Sequence, residues 1–186
     1  LDSANLAGTK HSKDCTLVLC EGLSARSFVI KGLSDGTIGG KKGRDYIGCF
    51  SLRGKPLNTL NANVSQISGN KEISGIIQSL RLRYDVDYTD DENFKTLSYG
   101  RVCLLSDADD DGAHITGLVL AFFERLFPSL LQRPDPFVIS MRTPVVRLYT
   151  KGKETGCFYS VDEFKTYTKT HKLPTNVDVK YYKGLG

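Results

Sequence analysis

The sequence lacks any apolar run that approaches the roughly 18 residues needed for a membrane-spanning helix. Its opening residues, LDSANLAGTK, lack the apolar core of a signal peptide. The five cysteines form no CxxC pair, which disfavours a zinc site, and an odd number of scattered thiols favours a reducing compartment over a disulfide framework. These absences predict an intracellular protein with no membrane partner.

Size and charge leave several functions open. With 186 residues, 40% of them hydrophobic and 25% charged, the chain can form one substantial α/β domain with a smaller appendage. Because it begins without Met and stops at KGLG, we expect it to be a piece of a longer protein. The net charge is only +4, with basic residues grouped near residues 10–13 and 41–55. Such groups mark either a nucleic-acid surface or an ordinary solvated face.

Hydrophobic periodicity predicts a sheet covered by helices. Residues 16–20 and 101–106 are short apolar runs typical of strands buried on both faces. Residues 72–84 carry apolar side chains at helical spacing. A long helix is also predicted at 111–127, where apolar side chains cover most of the circumference, so it should be well buried. Strands that alternate with helices indicate a mainly parallel sheet in an α/β fold. The other predicted elements are helices at 25–31 (capped by Ser24 and ended at Gly32) and 162–170, and strands at 46–52, 137–141, 145–149, 157–161 and 177–182.

Four carboxylates, those of Asp107, Asp109, Asp110 and Asp111, follow the second apolar run directly. Carboxylates this close raise one another's pKa unless a cation neutralises them. Oxygen-only ligands favour Mg²⁺, Mn²⁺ or Ca²⁺ over Zn²⁺. Because ligands of parallel sheets bind at the carboxyl ends of the strands, a divalent metal site is the favoured interpretation.

Two other interpretations of this acidic segment compete with a metal site. An EF-hand also opens with Asp-x-Asp-x-Asp-Gly, but its final ligand must be Glu, where this sequence has Leu118, and a helix must precede it, where a strand is predicted. The EF-hand is therefore excluded. Capping of the following helix would account for Asp111 and Asp109 but hardly for all four carboxylates, and this alternative stays open.

Glu21 follows the first apolar run in the same way. A single Glu after a strand is usually a solvated loop residue. If the two apolar strands are parallel neighbours, however, Glu21 and Asp107 emerge side by side. One Glu and several Asp residues there would hold one or two Mg²⁺ ions, an arrangement suited to phosphoryl transfer.

Cations near this segment are candidates for phosphate contacts. In Arg53-Gly54-Lys55 the glycine allows close backbone approach and the flanking side chains neutralise charge. The alternative is an ordinary turn with solvated ends. His114 lies one helical turn after the acidic cluster, where it either faces the site or is an ordinary surface histidine.

Taken in order, these motifs closely resemble the Toprim region of type IIA DNA topoisomerases, specifically of the eukaryotic and large-DNA-virus kind. The resemblance covers essentially the whole chain. Its matching segments are residues 1–8, 15–25 with Glu21-Gly22, 43–45, 52–58 with Arg53-Gly54-Lys55 and Asn58, 97–100, 107–115 with the three spaced Asp residues, Pro128–Leu131, and 181–186 with Tyr-Tyr-Lys-Gly-Leu-Gly.

The resemblance implies a Toprim fold, with a central, mainly parallel sheet, over residues 1–150, and a small C-terminal strand and helix extension over residues 151–186. It also implies a catalytic metal site for two Mg²⁺ ions, for which Mn²⁺ or Ca²⁺ would substitute in binding. Glu21, Asp107 and Asp109 would be the ligands, Asp111 would support them, and Glu21 would also transfer protons. The residues implied to bind DNA are Gly22, Arg53, Lys55, Asn58, His114 and Lys183.

The resemblance further implies parts outside this sequence. A winged-helix domain beyond Gly186 would carry the nucleophilic tyrosine, and an ATP-binding ATPase domain would precede Leu1. The whole enzyme would be a homodimeric, ATP-dependent type II topoisomerase that passes duplex DNA through a transient double-strand break. The isolated chain is not expected to be active. We expect the enzyme in the nucleus if it is cellular, and in the host cytoplasm or nucleus if it is viral.

Three departures from the family pattern favour a divergent, viral member. Leu23 stands where the family usually has Asp, Ser51 replaces the usual Pro, and the loop at 34–42 is longer than the common form. Losing the carboxylate at Leu23 should change local DNA contacts. The alternatives are the Toprim domain of a primase or repair nuclease, which Arg53-Gly54-Lys55 with Asn58 disfavours, and a non-catalytic metal- or DNA-binding module.

Overall fold

The computed structural model describes residues 1–34, 37–38, 40–107 and 109–182. After a short 3₁₀ turn at Ser12–Asp14, strands and helices alternate along the chain. In order they are β1 (Thr16–Glu21), α1 (Gly22–Ser34), β2 (Thr37–Ile38), β3 (Lys41–Lys42), α2 (Gly43–Tyr46), β4 (Ile47–Leu52), α3 (Val64–Gly69), α4 (Lys71–Leu80), α5 (Asp91–Phe94), β5 (Arg101–Leu105), α6 (Asp110–Leu126), α7 (Pro128–Leu131), β6 (Val138–Met141), β7 (Val146–Thr150), β8 (Lys153–Phe158), α8 (Val161–Thr170) and β9 (Val177–Tyr181).

The central sheet contains four parallel strands in the order β4-β1-β5-β6. β1 and β5 pair from Thr16 opposite Arg101 to Cys20 opposite Leu105. Every connection between these parallel strands contains helices, because the chain must return to the same end of the sheet. The predicted pairing of the two apolar runs is therefore confirmed, and both strands end at the same edge.

Both faces of the sheet are covered. Leu17 and Leu19 of β1 point into a core shared with α4 and α6, whereas Val18 and Cys20 point into a second core under α1. The side chains of a strand alternate between faces, so a strand covered on both sides needs a continuous apolar run. This is the physical reason for the uninterrupted pattern at residues 16–20.

The two edges of the central sheet differ. At β4 the preceding leader contributes Asp2, which exchanges two backbone hydrogen bonds with Cys49, each 2.8 Å long. At the other edge, β6 pairs only with β5 among the described residues. The side chains of Ile139 and Met141 on β6 are 37% and 43% exposed.

The ends of two helices differ from those predicted. α1 begins directly after β1, because Gly22 has a φ of +75° and turns the chain at once, so the predicted cap at Ser24 is wrong. The helix also passes Gly32, where it was predicted to end. α4 stops at Leu80 rather than at residue 84, because Arg81 adopts a left-handed conformation with φ 59°. The helix predicted at 111–127 is confirmed to within one residue.

A second, antiparallel sheet of order β8-β7-β9 follows the central one. Val146, Leu148 and Phe158 form its core with Phe164 of α8. The strand predicted at 157–161 is wrong in position: β8 ends at Phe158, and the Ser160 hydroxyl accepts a hydrogen bond from the Glu163 N–H to begin α8. The α/β class with a C-terminal strand and helix unit is confirmed. The boundary at residue 150 stays a prediction; β7 precedes it but pairs with β8 and β9.

Several short elements have no counterpart among the predicted ones. They are the β2–β3 pair, α2, α3, α5 and α7. Within the described part of the chain, no helix has the length and apolar character required to cross a membrane.

Candidate metal centre and nucleic-acid interface

The acidic side chains meet where β1 and β5 end. Glu21 is the last residue of β1, and Asp107 follows the end of β5 by two residues. Burial raises the pKa of the Glu21 carboxyl above its usual range, and the negative charges of Asp107, Asp109 and Asp111 raise it further. The four predicted carboxylates therefore lie close enough for the three Asp charges to act on Glu21.

Asp109 caps helix α6. Its carboxylate accepts a hydrogen bond from the Gly112 N–H at 2.9 Å. The capping alternative is thus correct for Asp109, whereas Asp111 lies inside the first turn of the helix. The N-terminus of α6 favours negative charge, so the helix stabilises the acidic cluster that it positions.

Gly112 sets the distance between α6 and the end of β5. A Cβ atom at this position would lie 2.1 Å from the Asp107 carbonyl oxygen and 3.0 Å from the Ser106 hydroxyl. The Ser106 hydroxyl also donates a hydrogen bond to the Gly112 carbonyl at 3.2 Å. Only a residue without a side chain lets the helix begin this close to Asp107.

Lys55 is the basic side chain that the structure joins to the acidic cluster. Its ammonium lies 2.8 Å from the Asp111 carboxylate, and both side chains are partly exposed. The hydrogen bond and charge of Lys55 lower the pKa of Asp111, and His114 lowers it further. The same contact raises the pKa of Lys55. Lys55 and Asp111 thus belong to one site, with His114 close by.

The donor set fits a hard divalent cation in its chemistry. Four carboxylates supply only oxygen ligands, and one ammonium leaves most of their charge uncompensated. Within the described residues, however, no three His, Cys, Asp or Glu side chains converge closely enough to hold a metal ion as they stand. Asp109 is engaged with Gly112 and Asp111 with Lys55, so metal binding requires these side chains to rearrange.

The other predicted DNA-binding residues lie at the start of α1, on the loop after β4, or outside the described part. Arg53 and Asn58 are exposed, and Gly54, which follows Arg53, has a φ of +88°. The Asn58 side chain accepts a hydrogen bond from the Leu60 N–H at 3.1 Å, which shapes the loop. Gly22 lies at the start of α1, next to Glu21. Lys183 falls outside the described residues.

Sequence reasoning missed two groups of residues around this site. The Glu72 carboxylate, at the start of α4, accepts a hydrogen bond from the Arg53 backbone N–H and so holds the basic loop. An open cavity of about 410 Å³ also borders the acidic edge. Its lining includes Asp107, Asp109, Met141, Arg142, Tyr159 and Ser160. No sequence pattern links Arg142 or Tyr159 to the acidic motif, because they come from distant segments.

The parallel sheet of this α/β domain has a Glu at the end of β1 and three spaced Asp residues after the neighbouring strand β5. This arrangement defines a Toprim-like domain. Comparison with known proteins agrees. The family profile described as the C-terminal associated domain of TOPRIM matches residues 141–186. Over the full chain, identity is 44% to DNA topoisomerase 2 top-2 of Caenorhabditis elegans and 42% to DNA topoisomerase 2-alpha of Rattus norvegicus.

Similarity to a solved structure extends the comparison. The chain aligns over 100% of its length with the crystal structure of the Plasmodium falciparum topoisomerase II DNA-binding, cleavage and re-ligation domain, with a TM-score of 0.85 and 35% identity. The chain is therefore homologous to a region of topoisomerase II that comprises the Toprim domain and its C-terminal associated domain. It spans 12% of the length of the two curated relatives and 24% of the solved chain.

Proposed function

We propose that this chain is the Mg²⁺-binding part of the DNA cleavage and religation core of an ATP-dependent type II topoisomerase, which passes duplex DNA through a transient double-strand break. The observation that carries the proposal is that Glu21 lies near Asp107, Asp109 and Asp111, at the adjoining ends of β1 and β5, and that their charges raise its pKa. Similarity to topoisomerase II along the whole of this chain favours this function over that of a primase, a repair nuclease or a non-catalytic module.

The proposed roles follow from position and charge. Glu21, Asp107 and Asp109 would hold two Mg²⁺ ions, with Asp111 in support, and bound Mg²⁺ would neutralise charge on the phosphate oxygens during cleavage. Glu21, with its raised pKa, is suited to accept and return a proton. When DNA binds, the Lys55 ammonium would leave the Asp111 carboxylate and contact a DNA phosphate instead. The other proposed DNA contacts are Gly22, Arg53, Asn58, His114 and Lys183.

Other parts of the activity belong to proposed partners. The attacking tyrosine would come from a winged-helix domain, ATP would bind a separate ATPase domain, and the working enzyme would be a homodimer on duplex DNA. We further propose that the enzyme acts in the nucleus or, if it is viral, in the host cytoplasm or nucleus.

The isolated chain should bind Mn²⁺, used as a spectroscopic substitute for Mg²⁺, only weakly, with a dissociation constant of roughly 1 mM. The reason is that the Asp111 carboxylate is already paired with Lys55, and the Asp109 carboxylate already accepts a hydrogen bond from the Gly112 N–H. Replacing Lys55 by Gln removes a competing cation and should tighten Mn²⁺ binding by about fivefold. Electron paramagnetic resonance of free Mn²⁺ measures both values.

The matched control for this titration is Lys169→Gln, which removes an exposed cation from α8, outside the acidic site. It should leave Mn²⁺ affinity unchanged. Equal affinities for the Lys55→Gln and Lys169→Gln variants would refute competition at Asp111. Tight binding of Ca²⁺ by the unaltered chain would instead support a calcium-sensing function.

Whereas the Lys55→Gln replacement should tighten Mn²⁺ binding, it should weaken DNA binding. In the full-length enzyme, Lys55→Gln is expected to weaken duplex binding and to reduce the slope of log affinity against log salt by about 0.9, the value for one phosphate contact. Fluorescence anisotropy across a salt series measures this slope. An unchanged slope would exclude a phosphate contact by Lys55, and Lys169→Gln again serves as the control.

A further inference from the structure

Two buried cysteines lie against each other under α1. The Sγ atoms of Cys20 and Cys49 are 3.3 Å apart, and both residues have 0% relative exposure. Both are reduced, and they lie on the neighbouring strands β1 and β4. We propose that they form a thiol modification site, at which hydrogen peroxide generates a disulfide that displaces Glu21.

The register of the two strands explains why such a bond would move the backbone. Val18 lies opposite Cys49, and Cys20 lies opposite Ser51, so the two cysteines are diagonal neighbours. Neighbouring strands lie about 4.8 Å apart and two residues advance about 6.6 Å along a strand, so the Cα atoms of these diagonal neighbours are about 8 Å apart. A disulfide requires a Cα separation below about 6.8 Å. Closing the bond must therefore draw the end of β1 toward β4.

The displaced segment is the one that carries the proposed metal ligand. Glu21 follows Cys20 directly and pairs with Leu52 in the same register. A change in the position of Cys20 cannot be absorbed before Glu21, because no residue lies between them. On the other side, Gly22 already adopts a left-handed conformation and begins α1. The disulfide should therefore separate Glu21 from the Asp residues that follow β5.

Access to the pair is provided by the edge of the sheet. Cys49 lies on the edge strand β4, which is covered at that residue by the single bridge from Asp2. The Asp2 carboxylate is also joined to Arg26 of α1, at 2.6 Å and 3.1 Å. A one-residue bridge opens far more readily than a strand ladder. Its opening releases α1 from the leader and admits peroxide to Cys49.

The chemistry balances with peroxide as the only oxidant. The Cys49 sulfur attacks one peroxide oxygen, the O–O bond breaks, and Cys49 becomes a sulfenic acid while one water is released. The Cys20 sulfur then attacks the Cys49 sulfur, the S–O bond breaks, and a second water leaves with the thiol proton. Two electrons pass from the two sulfurs to one molecule of peroxide. A thiol reductant then returns both cysteines to thiols by thiol–disulfide exchange and is itself oxidised to a disulfide.

Peptide mapping of the full-length enzyme tests the site itself. After treatment with hydrogen peroxide and blocking of free thiols, mass spectrometry should find the peptide of Cys20 joined to that of Cys49. This link should form at least about tenfold faster than Cys103 is oxidised, because Cys103 is buried in the same core on β5 but, among the described residues, makes no sulfur–sulfur contact like that of Cys20 and Cys49. Cys15→Ser and Cys103→Ser should retain the link.

Loss of the link is expected in Cys20→Ser, Cys49→Ser and Cys49→Ala. Two different replacements of Cys49 are used so that a folding defect in one of them does not decide the result. A link from Cys49 to Cys15, or oxidation of Cys20 and Cys49 to sulfinic acids without a link, would overturn the proposal. Circular dichroism of each reduced variant establishes that it is folded.

The displacement of Glu21 needs a separate measurement. Amide hydrogen exchange of residues 20–22 should become at least about tenfold faster in the oxidised enzyme and return to its original rate with dithiothreitol. Unchanged exchange in a sample shown to contain the disulfide would overturn the displacement. Neither this result nor the peptide map depends on DNA cleavage.

The effect on activity rests on the proposed function. Peroxide should reduce Mg²⁺-dependent DNA cleavage by at least about tenfold in the unaltered enzyme, and dithiothreitol should restore it. Cys49→Ser should retain its cleavage under the same treatment. If the disulfide forms and residues 20–22 move while cleavage persists, the modification site stands and the role assigned to Glu21 fails.

Discussion

Replacing Asp107 by Ala, or Glu21 by Gln, should lower Mg²⁺-dependent DNA cleavage by the full-length enzyme at least about 10³-fold. Both changes remove a carboxylate from the point where β1 and β5 end. The remaining carboxylates would hold the metal ions less tightly and in a different position. Conversion of supercoiled plasmid to the linear form, followed on agarose gels, measures the loss.

The control for this loss is Asp110→Asn. Asp110 is exposed at the first residue of α6, between Asp109 and Asp111, but it is not among the proposed ligands. Its replacement should change cleavage by less than about threefold. The Asp107→Ala and Glu21→Gln proteins should keep their circular dichroism spectra. Wild-type cleavage by either of them would refute the assigned site.

Gly112→Ala should both destabilise the domain and impair cleavage. The added methyl group would meet the Asp107 carbonyl at 2.1 Å, so the start of α6 must move away from the end of β5. We expect a loss of about 1–3 kcal/mol in the free energy of unfolding, as for other overpacked sites. Cleavage should fall about 10²-fold, because a displacement of about 1 Å is enough for such an effect.

Gly117→Ala is a matched control on the same helix. A Cβ atom at Gly117 meets nothing within 4 Å, so this change should stabilise α6 by about 0.5–1 kcal/mol. Chemical denaturation measures both free energies. If Gly112→Ala were as stable and as active as Gly117→Ala, the close approach of α6 to Asp107 would have no role in the site.

The sequence was sufficient for the parts of the fold that depend on periodicity. The apolar runs that became β1 and β5 are continuous because each strand is buried on both faces, and this also predicted that Glu21 and Asp107 would meet. Periodicity does not report backbone conformation, however. The start of α1 and the end of α4 therefore differ from their predicted positions, because Gly22 and Arg81 adopt left-handed backbone conformations.

Short elements escaped prediction for a related reason. α3 begins with a capping box between Asn63 and Gln66, and α5 begins where Asp90 accepts hydrogen bonds from two backbone N–H groups. Elements of four to six residues are too short to show a hydrophobic period, so only their caps reveal them.

In the candidate site, residue types were predictable but pairings were not. The acidic motif identified the carboxylates. It did not reveal that Asp109 binds the Gly112 N–H, that Asp111 pairs with Lys55, or that Glu72 holds the Arg53 backbone. Each of these contacts depends on the relative positions of segments that only folding brings together.

The exposed edge of β6 has a consequence for handling the chain alone. A strand with unpaired backbone groups and apolar side chains is a template for a strand from another molecule. Ile139 and Met141 supply such side chains, whereas the β4 edge is protected by Asp2. Self-association of the isolated chain should therefore begin at β6. A lysine in place of Ile139 would oppose it by charge repulsion between copies.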